Sequence, residues 1–211
     1  WRFIAGMRYE GTDFKAKGTG IEDGDFVASD ASNDYDHWLP GLHARYQLDK
    51  QTQVRAAWTN SVVRPTFEQL APGFVIDGDE AEFGNPALDP LESSNLDLGI
   101  EHYLNRDGVV SAFVFYKDIE NFVYNTDLAG SGRWATFDEA KTFANGDSAE
   151  LYGLELAWQQ KFSSLPAPWN GLLVGANATF SHSDASIADK GGERDIDLPF
   201  QSDTVGNLML G

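Results

Sequence analysis

A chain of 211 residues that is 42% hydrophobic and 13% aromatic is too apolar to be disordered and long enough to build one large domain. Fifteen basic against 33 acidic residues leave a net charge of −18, which excludes a general nucleic-acid binder and a polybasic dock onto an anionic membrane face. Cysteine is absent, so disulfides, thiolate metal sites and thiol nucleophiles are excluded as well.

The first segment, 1–10, alternates. Trp1, Phe3, Ala5, Met7 and Tyr9 occupy one face, and Arg2, Gly6, Arg8 and Glu10 the other. The same period of two runs through 38–48 (Trp38, Leu42, Ala44, Tyr46, Leu48) and 53–63 (Val54, Ala56, Trp58, Val62). It returns in 94–104, where Leu96, Leu98, Ile100 and Leu104 alternate with Asn95, Asp97, Gly99 and Glu101. In 150–162, Tyr152, Leu154, Leu156, Trp158 and Phe162 oppose Gly153, Glu155, Gln159 and Lys161. Segment 172–184 repeats it with Leu172, Val174, Ala176, Ala178 and Phe180. Segments 109–123 and 201–210 read as extended, with faces that the pattern does not resolve. Eight segments of about ten residues with this period are what a transmembrane β-barrel requires, because each strand shows lipid only every second side chain. No run of 18 apolar residues encodes a membrane-spanning helix.

The connections alternate in length. Short links at 49–52, 105–108 and 163–171 separate long ones at 11–37, 64–93, 124–149 and 185–200. Long structureless links are uncommon in compact soluble domains, whereas outer-membrane barrels have short periplasmic turns and long outer loops. The four long links together carry −15 of the −18 net charge, so the acidity belongs to that side. Aromatic rings fall at both strand ends, Trp1, Tyr46, Tyr103, Trp158, Phe162 and Trp169 toward the short turns and Tyr9, Trp38, Tyr116 and Tyr152 toward the long links. Two interfacial girdles are expected from such a placement. The fold expected is all-β, an up-and-down antiparallel barrel segment of about eight consecutive strands.

Several polar residues have a chemical and a plain reading. Arg64 ends a strand beside Pro65, either gripping an anionic ligand group at the barrel mouth or pairing with loop acids. The acids Asp77, Asp79, Glu80 and Glu82 lack calcium-loop spacing and read as a solvated outer loop. His37, His43, His102 and His182 form no i, i+4 pair, so no metal site is expected. Among them, His102 sits awkwardly on the apolar face near a short turn. Asp118 and Glu120 lack any accompanying cleft signal for acid–base catalysis, and no catalytic residue and no cofactor are expected.

The segments WTNSVVRPTFEQLAP (58–72), FGNPALDPLESSNLDLGIEHYL (83–104), GVVSAFVFYKDIENFV (108–123) and ELYGLELAWQQKF (150–162) resemble, in this order, the C-terminal half of a TonB-dependent receptor barrel. One departure is Leu91, which separates Pro90 from Glu92 where the family usually joins Pro to Glu. The resemblance implies a nutrient receptor in the outer membrane of a Gram-negative bacterium, not an enzyme. Residues 1–211 would then be part of its barrel, with the plug domain and remaining strands outside this chain. It implies partners in outer-membrane lipid, the plug, the TonB complex acting through the plug, and a small nutrient such as an oligosaccharide or a siderophore. Arg45, Arg55, Asp97, Glu101 and Glu155 are then expected to face the plug in the lumen. Arg64, Phe74, Phe83, Trp134 and Phe137, with Phe143, are the candidate ligand contacts. A passive porin and a soluble, secreted, carbohydrate-binding β-sandwich are the rival readings.

Overall fold

A computed structural model describes residues 1–22, 24–104, 107–189, 192–199 and 201–211. Positions 105 and 106 of the short link 105–108, and 23, 190, 191 and 200 in the long links, lie outside the described residues. Among the described residues, every element is a strand apart from one 3-10 turn at Gly132–Trp134. In chain order they are β1 (Arg2–Glu22), β2 (Asp25–Gln47), β3 (Thr52–Val63), β4 (Phe74–Asp77), β5 (Glu80–Phe83), β6 (Leu91–Leu104) and β7 (Gly108–Glu120). There follow β8 (Val123–Asp127), β9 (Glu139–Asn145), β10 (Ser148–Phe162), β11 (Leu172–Asp189), β12 (Gly192–Ile196) and β13 (Thr204–Leu210).

The expected eight segments all appear as strands, and β1, β2, β3, β6, β7, β10, β11 and β13 pair antiparallel in that order. They make a curled wall, part of a barrel. The count of about eight is nevertheless too low, because the sheet holds 13 strands. The additional ones, β4, β5, β8, β9 and β12, come from links expected to be structureless. Link 11–37 is not a loop either, since β1 and β2 continue as one hairpin up to the Glu22–Asp25 pair.

Cross-strand pairing places the faces. The row Ala44, Ala56, Leu98, Val114, Leu154 and Phe180 is continuous through direct partners, so these side chains share one face. Arg45, Arg55, Gly99, Phe113, Glu155 and Thr179 form the neighbouring row on the opposite face. Leu98 and Leu156 therefore point away from Glu101 and Glu155, as expected. Leu96, Leu98 and Ile100 are 55%, 51% and 43% exposed, which suits side chains surrounded by lipid rather than by a protein core.

The two strands whose faces the pattern left open now resolve. On β7, Val110, Ala112, Val114 and Tyr116 face out with the leucines, while Phe113 and Phe115 lie on the polar face. There Phe113 covers Gly99 and Phe115 covers Gly153, each in a direct cross-strand pair. On β13, Met209 covers Gly175 on the polar face, and Leu208 and Leu210 face out. A large apolar ring filling the space above a glycine hides the alternation from the sequence.

Above Tyr9, Trp38, Tyr116 and Tyr152 the alternation inverts. The outward positions become Asp36, Asp118, Glu120 and Glu150, and the inward ones become Phe14, Ile119, Ala149 and Ala185. Outside the membrane the outward face meets water, so the apolar residues turn inward and make a local core. Ile119, Phe122, Tyr124, Ala149, Ala185 and Ile187 form this cluster, against which Leu91, Leu151 and Ile196 pack. The long links fold onto the same inner face. Asn33 donates to the carbonyls of Pro86 (3.4 Å) and Leu88 (3.3 Å), and Leu88 is fully buried.

Candidate functional site

Two regions of the inner face carry chemistry, one along the wall and one among the long links. On the wall, Arg2, Arg45 and Arg55 are direct cross-strand neighbours on β1, β2 and β3. Arg55 Nη1 donates to Glu101 Oε1 at 2.9 Å. Gln53, only 4% exposed, bonds Glu101 Oε2 and reaches the Tyr103 hydroxyl at 3.2 Å. Glu101 is thus held by a guanidinium, an amide and a phenol, while Arg2 and Arg45 have no carboxylate within ion-pair reach among the described residues. Glu155 stands farther along the row of Arg45 and Arg55, across from Phe113, and Asp97 stands on another row of the same face, across from Phe115.

Arg64 lies at the base of the long links. Its Nη2 donates to Glu10 Oε2 at 2.6 Å and its Nε to Thr12 Oγ1 at 2.8 Å, and Glu10 also binds Arg8 at 2.7 Å. Glu10 belongs to the wall strand β1, so the plain reading of Arg64 as an ion-pair partner describes this geometry, with a wall acid in place of a loop acid. His102 is on the apolar face, beside the 49–52 turn, and its Nδ1 pairs with Thr52 Oγ1 at 2.9 Å. That bond gives the imidazole a partner where the bilayer offers few.

The long links build the second region from their own small strands. β4 and β5 pair as a hairpin with Phe74 opposite Phe83, and β8 pairs with β9. Two parallel contacts join these hairpins to the rest: β1 to β4 at Ile21 and Val75, and β5 to β9 across Glu80–Glu139, Ala81–Ala140 and Glu82–Lys141. β8 follows β7 through a corner at Asn121, whose φ of 58° suits asparagine. The arm of β4, β5, β9 and β8 therefore leaves the wall at β1 and rejoins it at β7.

The candidate aromatics divide. Trp134 is 7% exposed, stacked on Phe83 at 4.7 Å, with Phe137 edge-on to it at 4.9 Å and the Arg133 guanidinium 4.3 Å from its ring. Together with Ile76, Ala81, Ala129 and Ala140 these rings form the core of the arm. Phe74 and Phe83, which pack against this core, also line a cleft of about 680 Å³ between the arm and the β1 hairpin, together with Phe143. Its polar lining includes Glu68, Glu82, Asn125, Asp127, Lys141 and Thr142.

Charge in the cleft is uneven. Asp127 accepts the backbone N–H groups of Ala129 (2.9 Å) and Ala140 (2.8 Å). Lys141 is bound to Glu139 at 2.8 Å, and that hydrogen bond, with the charges of Glu139, Glu82 and Glu80, raises its pKa above the ordinary lysine value. Thr142 is 6% exposed, and its hydroxyl is the buried side-chain polar atom without a hydrogen-bond partner among the described residues. Nothing in the sequence signals it, since threonine is ordinary in a strand and its isolation depends on what packs around it.

A family model described as TonB dependent receptor-like, beta-barrel, matches residues 1–211. A curated relative, the iron-regulated outer membrane virulence protein of Vibrio cholerae, is 24% identical over 171 residues, covering 77% of this chain and 25% of that protein. The chain thus spans about a quarter of the length of the curated relatives it matches. The hemophore receptor HasR of Serratia marcescens, solved with its hemophore and heme, superposes with a TM-score of 0.63 at 12% identity, over 97% of this chain and 36% of that one. The ferric enterobactin receptor of Pseudomonas aeruginosa does so with a TM-score of 0.53 at 18% identity, over 84% of this chain and 30% of that one. An apolar outward face between aromatic tiers, a charged inner face and a family match from end to end lead to one conclusion. The chain belongs to the TonB-dependent receptor-like β-barrel family, whose curated relatives are named as outer membrane proteins.

Proposed function

We propose that the complete receptor takes up chelated ferric iron through the outer membrane, energised by TonB acting on a plug domain, and that this chain supplies wall and outer loops. The observation carrying this reading is the family match together with curated relatives named for iron regulation. A ferric enterobactin receptor and a siderophore receptor among the superposing structures add support. Arg2, Arg45, Arg55, Asp97, Glu101 and Glu155 lie on the inner face, where they contact the plug, and the cleft walled by Phe74, Phe83 and Phe143 receives the ligand.

The test is uptake of radioactive iron by cells expressing the intact receptor, with and without a functional TonB. Iron should accumulate only with TonB, while binding at the cell surface persists without it. Accumulation independent of TonB would instead favour the porin reading.

A further inference from the structure

We infer that the outer half of β2, residues 25–36, is a docking edge on which a cationic peptide binds in extended form, as an added strand. None of these residues lines the cleft among the long links.

The first ground is an unpaired backbone. β1 and β2 pair without interruption, from Arg2 opposite Arg45 to Glu22 opposite Asp25. On its other side β2 pairs with β3 only from Gly41 opposite Thr59 to Gln47 opposite Gln53. β3 itself ends at Val63, so β2 rises past it and leaves a notch in the wall. Asn60, which donates to the Pro40 carbonyl at 3.1 Å, and His37, 3.2 Å from Glu92, close the floor of this notch. Above that floor, among the described residues, no strand pairs with the outer side of 25–36. Such an edge offers a row of free N–H and C=O groups, to which an extended peptide is the natural complement. Edges of this kind are ordinarily blunted by proline, lysine or a bulge. Here the uninterrupted register excludes a bulge, and 25–36 contains neither proline nor lysine.

The second ground is charge, and it names the occupant. Asp30, Asp34 and Asp36 are all at even positions and share the outward face of the edge. Across β1, Asp34 meets Asp13, whose own partner is Lys15, and Asp36 meets Gly11. Asp30 alone stands opposite a cation, Lys17. A strand added here sets alternate side chains directly beside these carboxylates, so lysine at every second position matches them. A second copy of this chain does not fit, because pairing two β2 edges brings the aspartate rows together.

The third ground is rigidity. On the inner side Asn33 is tied to the carbonyls of Pro86 and Leu88, and Tyr35 packs edge-on against His37 at 5.7 Å. The edge is thus held extended before any partner arrives, which lowers the ordering cost of binding.

The experiment measures, by fluorescence anisotropy, binding of labelled peptides as long as the free edge to the intact receptor in detergent. One peptide alternates lysine with threonine and valine. A second has the same composition with its lysines in one block, and a third is the first with its backbone amides N-methylated. At physiological ionic strength the alternating peptide should bind saturably, with the other two at least about ten-fold weaker, since one lacks matched charges and the other lacks backbone donors. Joint replacement Asp34→Asn and Asp36→Asn should weaken the alternating peptide several-fold, and both side chains are exposed, so folding is not at stake. Equal binding of the block or the N-methylated peptide would reduce the contact to diffuse electrostatics and overturn the inference. Unchanged affinity in the double variant, or no saturable binding of the alternating peptide, overturns it too. Receptor dimers joined through this edge, detected by light scattering, would put a second copy in place of the peptide and overturn it as well.

Discussion

Phe113 and Phe115 show how a single residue can disguise the face of a strand. Both lie among charged neighbours on the inner face, and each covers a glycine directly opposite, Gly99 and Gly153. Glycine in a strand weakens it, and an aromatic ring laid over the gap restores packing. The alternation of Leu96, Leu98 and Ile100 was legible because its counterpart Gly99 is small, whereas β7 reads as apolar on both sides because it supplies the covering rings. A Cβ added at Gly99 would overlap the Phe113 ring, so Gly99→Ala should destabilise the barrel by about 1–3 kcal/mol, the usual cost of overpacking. Phe113→Ala also destabilises, by uncovering Gly99. The double variant should lose less than the sum of the two, because the added methyl then fills the vacated space. Urea denaturation of the intact receptor in detergent measures all three, and additive losses would show that ring and glycine do not pack together.

At the scale of the element, the strands were readable within the membrane and misread beyond it. The period of two continues through 13–17, but with Phe14 and Ala16 inward and Asp13, Lys15 and Lys17 outward, the reverse of 1–9. The solvent outside the wall changes from lipid to water at the aromatic tier, so the same extended backbone needs the opposite pattern. A reading that looks for outward apolar residues stops there, and so the long hairpin was expected to be a loop. The short turn at 49–52 was legible for a simpler reason: aspartate caps tight turns. The Asp49 carboxylate accepts the backbone N–H groups of Gln51 (2.7 Å) and Thr52 (2.9 Å). The Gln51 N–H first, and then the Thr52 side chain, hold its pKa below the ordinary carboxylate value. A depressed carboxylate adds stability that is present above its unfolded pKa and lost as pH falls through its folded one. Hydrogen exchange at the Gln51 and Thr52 amides should therefore show protection at neutral pH that fades below the usual carboxylate range. Asp49→Ala should lack that protection at every pH. Equal protection in both proteins would mean that strand pairing alone holds the turn.

For the whole molecule the open question is what meets the charged inner wall. The acidity of the long links and the aromatic tiers were visible in the sequence, and so were the inward charges. Their partners were not, because pairing across strands depends on register. Arg55 turns out to be tied to Glu101 within the wall, and Gln53 and Tyr103 join the same carboxylate. Arg45, directly beside Arg55, has no such acid within reach among the described residues. Like charges opposite one another in a sheet are unfavourable unless a counter-charge arrives from elsewhere. If a plug fills the lumen, its acidic groups are the natural counter-charge for Arg2 and Arg45, and its polar groups complete Glu101. Arg45→Ala should then loosen the plug directly. Arg55→Ala should do so by releasing Glu101 from its place. Both variants are expected to make the outer membrane leak, read as greater sensitivity of the cells to antibiotics that the wild-type barrier excludes. Surface binding of the iron chelate should stay within about three-fold of wild type, since well-separated sites act nearly independently. Measuring permeability and binding on the same cells separates wall from ligand site. Binding lost behind an intact barrier would move the ligand site from the long links to the arginine row, and the wall would then be the receptor's selectivity filter.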